Sequence, residues 1–180
     1  MPGDGKWDQS AIPSAAELEV LRIDMFNMTG AALSEINLIK QYLNKNHAFR
    51  HKVSNPERKA LLNPHLDGSL PSTSAVGWRS FSPMVGFGNI DVINTNGCGA
   101  NCNAFIDALE NNSYLWTYMA GGGTDTSCAG SVFTSDYCFT RTLNTVFMQL
   151  YGSYFVEWAK GGLPVPNNLL RAPLTNSGMP

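Results

Sequence analysis

The sequence is short of charge and of histidine, and it has no long apolar run. Charged side chains make up 14% of its 180 residues, against roughly 25% in an ordinary domain. Lys and Arg number 12 beside 14 Asp and Glu, a net charge of −2, which excludes the basic footprint of a nucleic-acid binder. No apolar stretch approaches the ~18 residues of a membrane span, and MPGDGKWDQS has no basic-then-apolar leader pattern. Hydrophobic residues at 43% and aromatics at 11% exclude an intrinsically disordered chain. The length suits one domain of the usual ~150-residue scale. No nucleic-acid partner, membrane span, metal or cofactor is expected.

What is present is Asn, Ser, Thr and Gly in place of charge, a surface style associated with secreted bacterial proteins. A secreted or cell-surface location is the expectation. Cys98, Cys102, Cys128 and Cys138 all lie in the second half and permit three pairings if oxidised. Disulfides or buried thiols suit them better than zinc, because C-x-x-x-C is not the usual knuckle spacing. The histidines are His47, His51 and His65. His47 and His51 stand four apart on an expected helix and could share a metal, but solvated cationic side chains are ordinary at a helix C-terminus. None of the three falls at a strand end suited to a catalytic base.

Periodicity divides the chain into short strands and helices. Residues 1–16 read as a loop, and 17–25 (ELEVLRIDM) alternate as a strand does. Ser34 is an expected N-cap, with Ile36, Ile39, Tyr42 and Leu43 behind it at helical spacing and Lys45, Arg50, His51 and Lys52 towards the C-terminal half. Residues 58–62 and 90–93 read as short strands, 67–75 as a loop, 76–84 as a short helix and 102–110 as a helix. The run 114–120 (YLWTYMA) is apolar enough for a strand buried on both faces. A Gly/Ser/Thr loop over 121–140 follows, then a second apolar strand over 145–150 and one or two helical turns in 167–174. The expected fold is α/β: a mostly parallel sheet with helices on both faces, in three layers. Ligands then sit beyond the carboxyl ends of the strands.

Candidate chemistry gathers after the strand 114–120. Gly121, Gly122, Gly123 and Thr124 could take positive φ and turn backbone N–H groups towards an anion, with Asp125 beside them as a further ligand-binding candidate. No Gly-Lys-Ser/Thr closes this loop, and a tight strand exit with close backbone packing is the plainer reading. Cys128 follows among small residues, but a nucleophile needs a base and an oxyanion site, and no histidine is near in sequence. Asp24, at the exit of the first expected strand, reads as a site residue or as a solvated charge capping a turn. The acidic residues Asp4, Asp8, Glu17, Glu19 and Asp24 lack a calcium-loop pattern. Trp116, Tyr118, Phe147, Tyr151, Tyr154, Phe155 and Trp158 are assigned mainly to the core, with Tyr154 and Trp158 the candidates for exposure.

The strings PGDGKWDQSAIPS, ELEVLRIDM, QYLNKNHAFRHK, SYLWTYMAGGGTDTSCAG and VFMQLYGSYFVEW…NNLLRAPL together resemble a functionally uncharacterised group of large secreted bacterial proteins. In that group the last segment reads closer to FGSYFGDW…NNFLRAPL. More distantly, the chain resembles the gingipain-like cysteine peptidases, which have a caspase-like fold. Their Gly-Arg strand is similar to Val20-Leu21-Arg22-Ile23-Asp24. By order, residues 114–123 would match their strand ending in His, and 145–153 their strand ending in the nucleophilic Cys. Gly121 to Gly123 stand where that family has His, Tyr151-Gly152-Ser153 where it has Cys, and Leu21 where it has the glycine of Gly-Arg. The resemblance therefore implies a catalytically degenerate, caspase-like domain over 1–180, a piece of a longer protein, with a scaffold or binding role. Its partners would be neighbouring domains, and its ligand a peptide or glycan. The alternatives are a peptidase-like hydrolase using Cys128 or Ser153, with Asp24 and the glycine loop shaping its pocket, and a carbohydrate- or peptide-binding module.

Overall fold

Short β-rich apolar runs form the sheet, and the helices between them pack on it in two cores. The computed structural model describes residues 23–68, 72–97, 103–155, 157, 159–160 and 162–178. In chain order come helix α1 (Glu35–Arg50), strand β1 (Ala60–Asn63), helix α2 (Ser72–Val85), β2 (Ile90–Val92), α3 (Ala104–Asn111) and β3 (Tyr114–Ala120). A hairpin of two very short strands follows, β4 (Ser127–Cys128) and β5 (Phe133–Thr134), then α4 (Ser135–Thr140) and β6 (Thr145–Tyr151). A second small hairpin, β7 (Ala159–Lys160) and β8 (Leu163–Pro164), and a 3-10 turn over Ala172–Thr175 complete the described chain. Among the described residues no helix is long and apolar enough to cross a membrane.

The main sheet has the order β2-β1-β3-β6 and every pair is parallel. Leu62 lies opposite both Val92 and Tyr118, and Tyr118 opposite Gln149. Side chains alternate across such a sheet, so the central strands feed two cores. Ala60, Leu62, Tyr118 and Ala120 meet Phe81 and Val85 of α2 on one face. Leu61 and Met119 meet Leu38 of α1, Phe105, Ile106 and Leu109 of α3, and Cys138 of α4 on the other. The amides of Leu115 and Trp116 both donate to the Lys59 carbonyl. The alternation slips there, so Tyr114 enters the α1/α3 core while Trp116 turns to the α2 side. This is an α/β fold with a parallel sheet.

Several expectations are corrected. Of the strand expected over 17–25, residues 17–22 lie outside the described residues and 23–25 are irregular chain. Ser34 is extended at the N-cap, but its side chain makes no cap hydrogen bond. The inner stripe of α1 runs through Leu38, Tyr42, Lys45 and Phe49, while Ile36 and Leu43 are exposed. The helix docks through its own i, i+4, i+7 ridge, which apolar residues on a neighbouring ridge disguise. Residues 72–75, expected in a loop, are the first turn of α2, and the loop over 121–140 holds β4, β5 and α4. Phe147 and Tyr151 are exposed rather than core, whereas Tyr154, a candidate for exposure, is indeed exposed. The physical reason for the first two is position: among the described residues β6 is an edge strand, and α2 packs chiefly on β1, β2 and β3.

Candidate functional site

The chain passes from β1 to β2 through α2, then returns through α3 to place β3 on the other side of β1. The strand order reverses between β1 and β3, where open α/β sheets form ligand crevices. Beyond β1, His65 Nδ1 lies 2.9 Å from Thr95 Oγ1, and Thr95 Oγ1 donates to Asn63 Oδ1 at 3.0 Å. His65 therefore stands just beyond the exit of β1, engaged with Thr95. Its partner Thr95 and Asn63 are both buried, so the trio ties the exits of β1 and β2 together.

Beyond β3, Gly121 and Gly123 are closely packed backbone. None of Gly121, Gly122 and Gly123 has the positive φ expected for an anion loop. The Gly121 amide donates to the Tyr151 carbonyl at 3.0 Å, and the Thr124 amide to the Ser127 carbonyl at 2.9 Å. A Cβ on Gly121 would strike the Ala129 backbone, and one on Gly123 or Gly152 would strike the Phe155 ring. Tyr154 adopts a left-handed φ of 66°, a turn that feeds Phe155 inward until it is 3% exposed. The aromatic ring thus fills the space between the exits of β3 and β6. Gly122 alone of the three has nothing near its absent side chain.

The other residues singled out by sequence fall in separate places. Cys128 is buried, and burial pushes its thiol up to about 12, only partly offset by backbone contacts to Ala129 and Gly121. A thiol so placed stays protonated near neutral pH and is closed to solvent. Cys138 is likewise buried, with its thiol raised by desolvation; Cys98 and Cys102 lie outside the described residues. Ser153 is exposed, and its carbonyl stands where a Gly123 side chain would go.

The two aspartates are held in ion pairs. Asp24 accepts the Phe26 amide at 2.9 Å and faces buried Arg171 at 3.6 Å. Arg171 also donates to the carbonyls of Phe26 at 2.6 Å and Val165 at 2.5 Å. Asp125 pairs with Lys160 at 2.5 Å, and Lys160 with Glu157 at 3.2 Å. Trp158 lies outside the described residues. The rings of His47 and His51 lie 4.1 Å apart, and no group of three or more His, Cys, Asp or Glu side chains among the described residues could hold a metal.

A concavity lies elsewhere, between α1 and the outer edge of β6. It has a volume of about 310 Å³ and is lined by Phe49, Val146, Met148, Leu150, Leu170 and Leu174, with Lys45 and Asn176 as polar groups. Lys45 reaches it because it occupies the inner stripe of α1. Its Nζ donates to the Asn176 carbonyl at 2.5 Å, and Gln41 Nε2 donates to the carbonyls of Thr175 and Asn176 at 2.8 and 3.2 Å. Desolvation lowers the Lys45 amine to about 8, against a weaker opposing influence of Cys138. Among the described residues no carboxylate lies within ion-pair distance of it. By sequence, Lys45 groups with the cations of a solvated helix end. The signal for its burial is its place seven residues after Leu38 and four before Phe49.

No protein-family model, no curated protein and no solved structure matches the chain.

Proposed function

We propose that this chain is a non-catalytic α/β domain of caspase-like type, a binding or scaffold module of a secreted or surface bacterial protein. The observation that carries this reading is the packing at the exits of β3 and β6. These are the strands that would end in the base and the nucleophile of the peptidases, and they lie side by side, with Ala120 opposite Tyr151. Between their exits stand glycines and the ring of Phe155, where a peptidase needs an imidazole, a thiolate and room for a peptide. The burial of Cys128 supports the same reading. Exposed Phe147 and Tyr151 on β6 suit contact with a neighbouring domain or a ligand.

The test is chemical. The native protein is treated with iodoacetamide and, separately, with a fluorophosphonate, and adducts are mapped by mass spectrometry. Iodoacetamide is expected to leave Cys128 unmodified until denaturant is added, and the fluorophosphonate to leave Ser153 unmodified throughout. Rapid modification of either residue in the folded protein would restore the hydrolase reading.

A further inference from the structure

We propose that the pocket between α1 and the outer edge of β6 binds a small amphipathic carboxylate, its acid group at Lys45 and its hydrocarbon body against Met148, Leu150 and Leu174. This deepens the binding reading above and rests on it. The volume of about 310 Å³ stands at the lower end of small-ligand pockets, which run from roughly 300 to 1,000 Å³. An apolar lining with a few convergent polar groups is the usual chemistry of such a site.

Lys45 sets the ligand's charge. Lys45 is half-buried; an ammonium drawn out of water is costly unless it is paired and hydrogen-bonded, and the Asn176 carbonyl offers it only a partial charge. The titratable groups that face it are Tyr42 on its own helix and the Cys138 thiol of α4, and the segment from Ala172 to Asn176 brings no charge. A carboxylate supplies the missing anion in a short charge-assisted hydrogen bond. One lysine without an arginine fork or a cradle of amides suits a monoanion better than a phosphate. An extended peptide added along β6 would be held through its backbone and would not require a cation sunk from α1.

Isothermal titration of the full chain with decanoate and with decanol tests the assignment. Decanoate is expected to bind with uptake of protons above about pH 8, seen by repeating the titration in buffers of different ionisation enthalpy. Lys45→Met should weaken decanoate by roughly tenfold or more and abolish the proton uptake, leaving decanol unchanged. Lys45→Arg should retain decanoate, and Leu174→Trp should lose both ligands. Decanoate binding that is indifferent to Lys45→Met, or none at all by the folded wild type, would overturn the proposal. So would capture of an acidic peptide along β6 by a protein that ignores decanoate. Because adducts on Cys128 or Ser153 report on catalysis independently, failure here is distinct from failure of the binding reading.

Discussion

Arg171 Nη1 stands 3.6 Å from Asp24 Oδ1, with the arginine wholly buried. The contact joins the segment before α1 to the 3-10 turn near the end of the described chain, and Asn167 adds hydrogen bonds to Gly30 and Thr29. Removing one member of a buried pair costs about 3–5 kcal/mol, because the other is left uncompensated. Arg171→Met is expected to approach that cost, since it also strands the Phe26 and Val165 carbonyls. Asp24→Asn keeps the hydrogen-bonding shape and should cost about 1 kcal/mol. Urea denaturation of the two variants checks the ranking.

The glycines after β3 and β6 predict an unequal response to a single methyl group. Gly123→Ala and Gly152→Ala drive a Cβ into the Phe155 ring, and overpacking of this kind costs about 1–3 kcal/mol. Gly122→Ala meets open space and should fall within about 0.5 kcal/mol of wild type. Equal effects at all three positions in thermal melts would contradict the packed exit.

The thiols predict a loss of stability in alkali. Burial raises the folded Cys128 thiol to about 12, above its ordinary value of 9.0. Between those values the folded chain keeps a proton that the unfolded chain has lost. Stability is therefore fully present below about pH 9 and falls as pH rises towards 12, by at most about 1.4 kcal/mol per pH unit for one thiol. Cys128→Ala should flatten that fall in urea midpoints measured across the range.

Lys45 predicts the opposite slope. Its amine drops from 10.5 to about 8 on folding, so between those values the unfolded chain binds more protons and stability rises with pH. Below about pH 8 the folded protein bears the whole cost of the half-buried charge. Lys45→Met should gain on wild type at neutral pH and lose that advantage by about pH 10.5. A difference between the two proteins that is constant with pH would show that Lys45 is solvated after all.

Much of the architecture is legible locally. The apolar density of YLWTYMA marks β3, and the spacing of Phe105, Ile106 and Leu109 marks α3, whose three side chains are all buried. Local periodicity does not tell which strand ends the sheet. VFMQL reads as apolar in either position, and Phe147 is exposed because, among the described residues, β6 has no strand beyond it and little of α2 above it. The glycines are legible as a tight exit, but the ring they pack against is not, because β4, β5, α4 and β6 all intervene between Gly123 and Phe155.

Most of the longer elements and the poverty of charge can be had from periodicity and composition, which are local properties of the chain. The closing-off of Cys128, the place of His65 at a strand exit and the inward turn of Lys45 came from the fold alone. Burial and electrostatic surroundings are made by residues far apart in the chain, so no local pattern contains them.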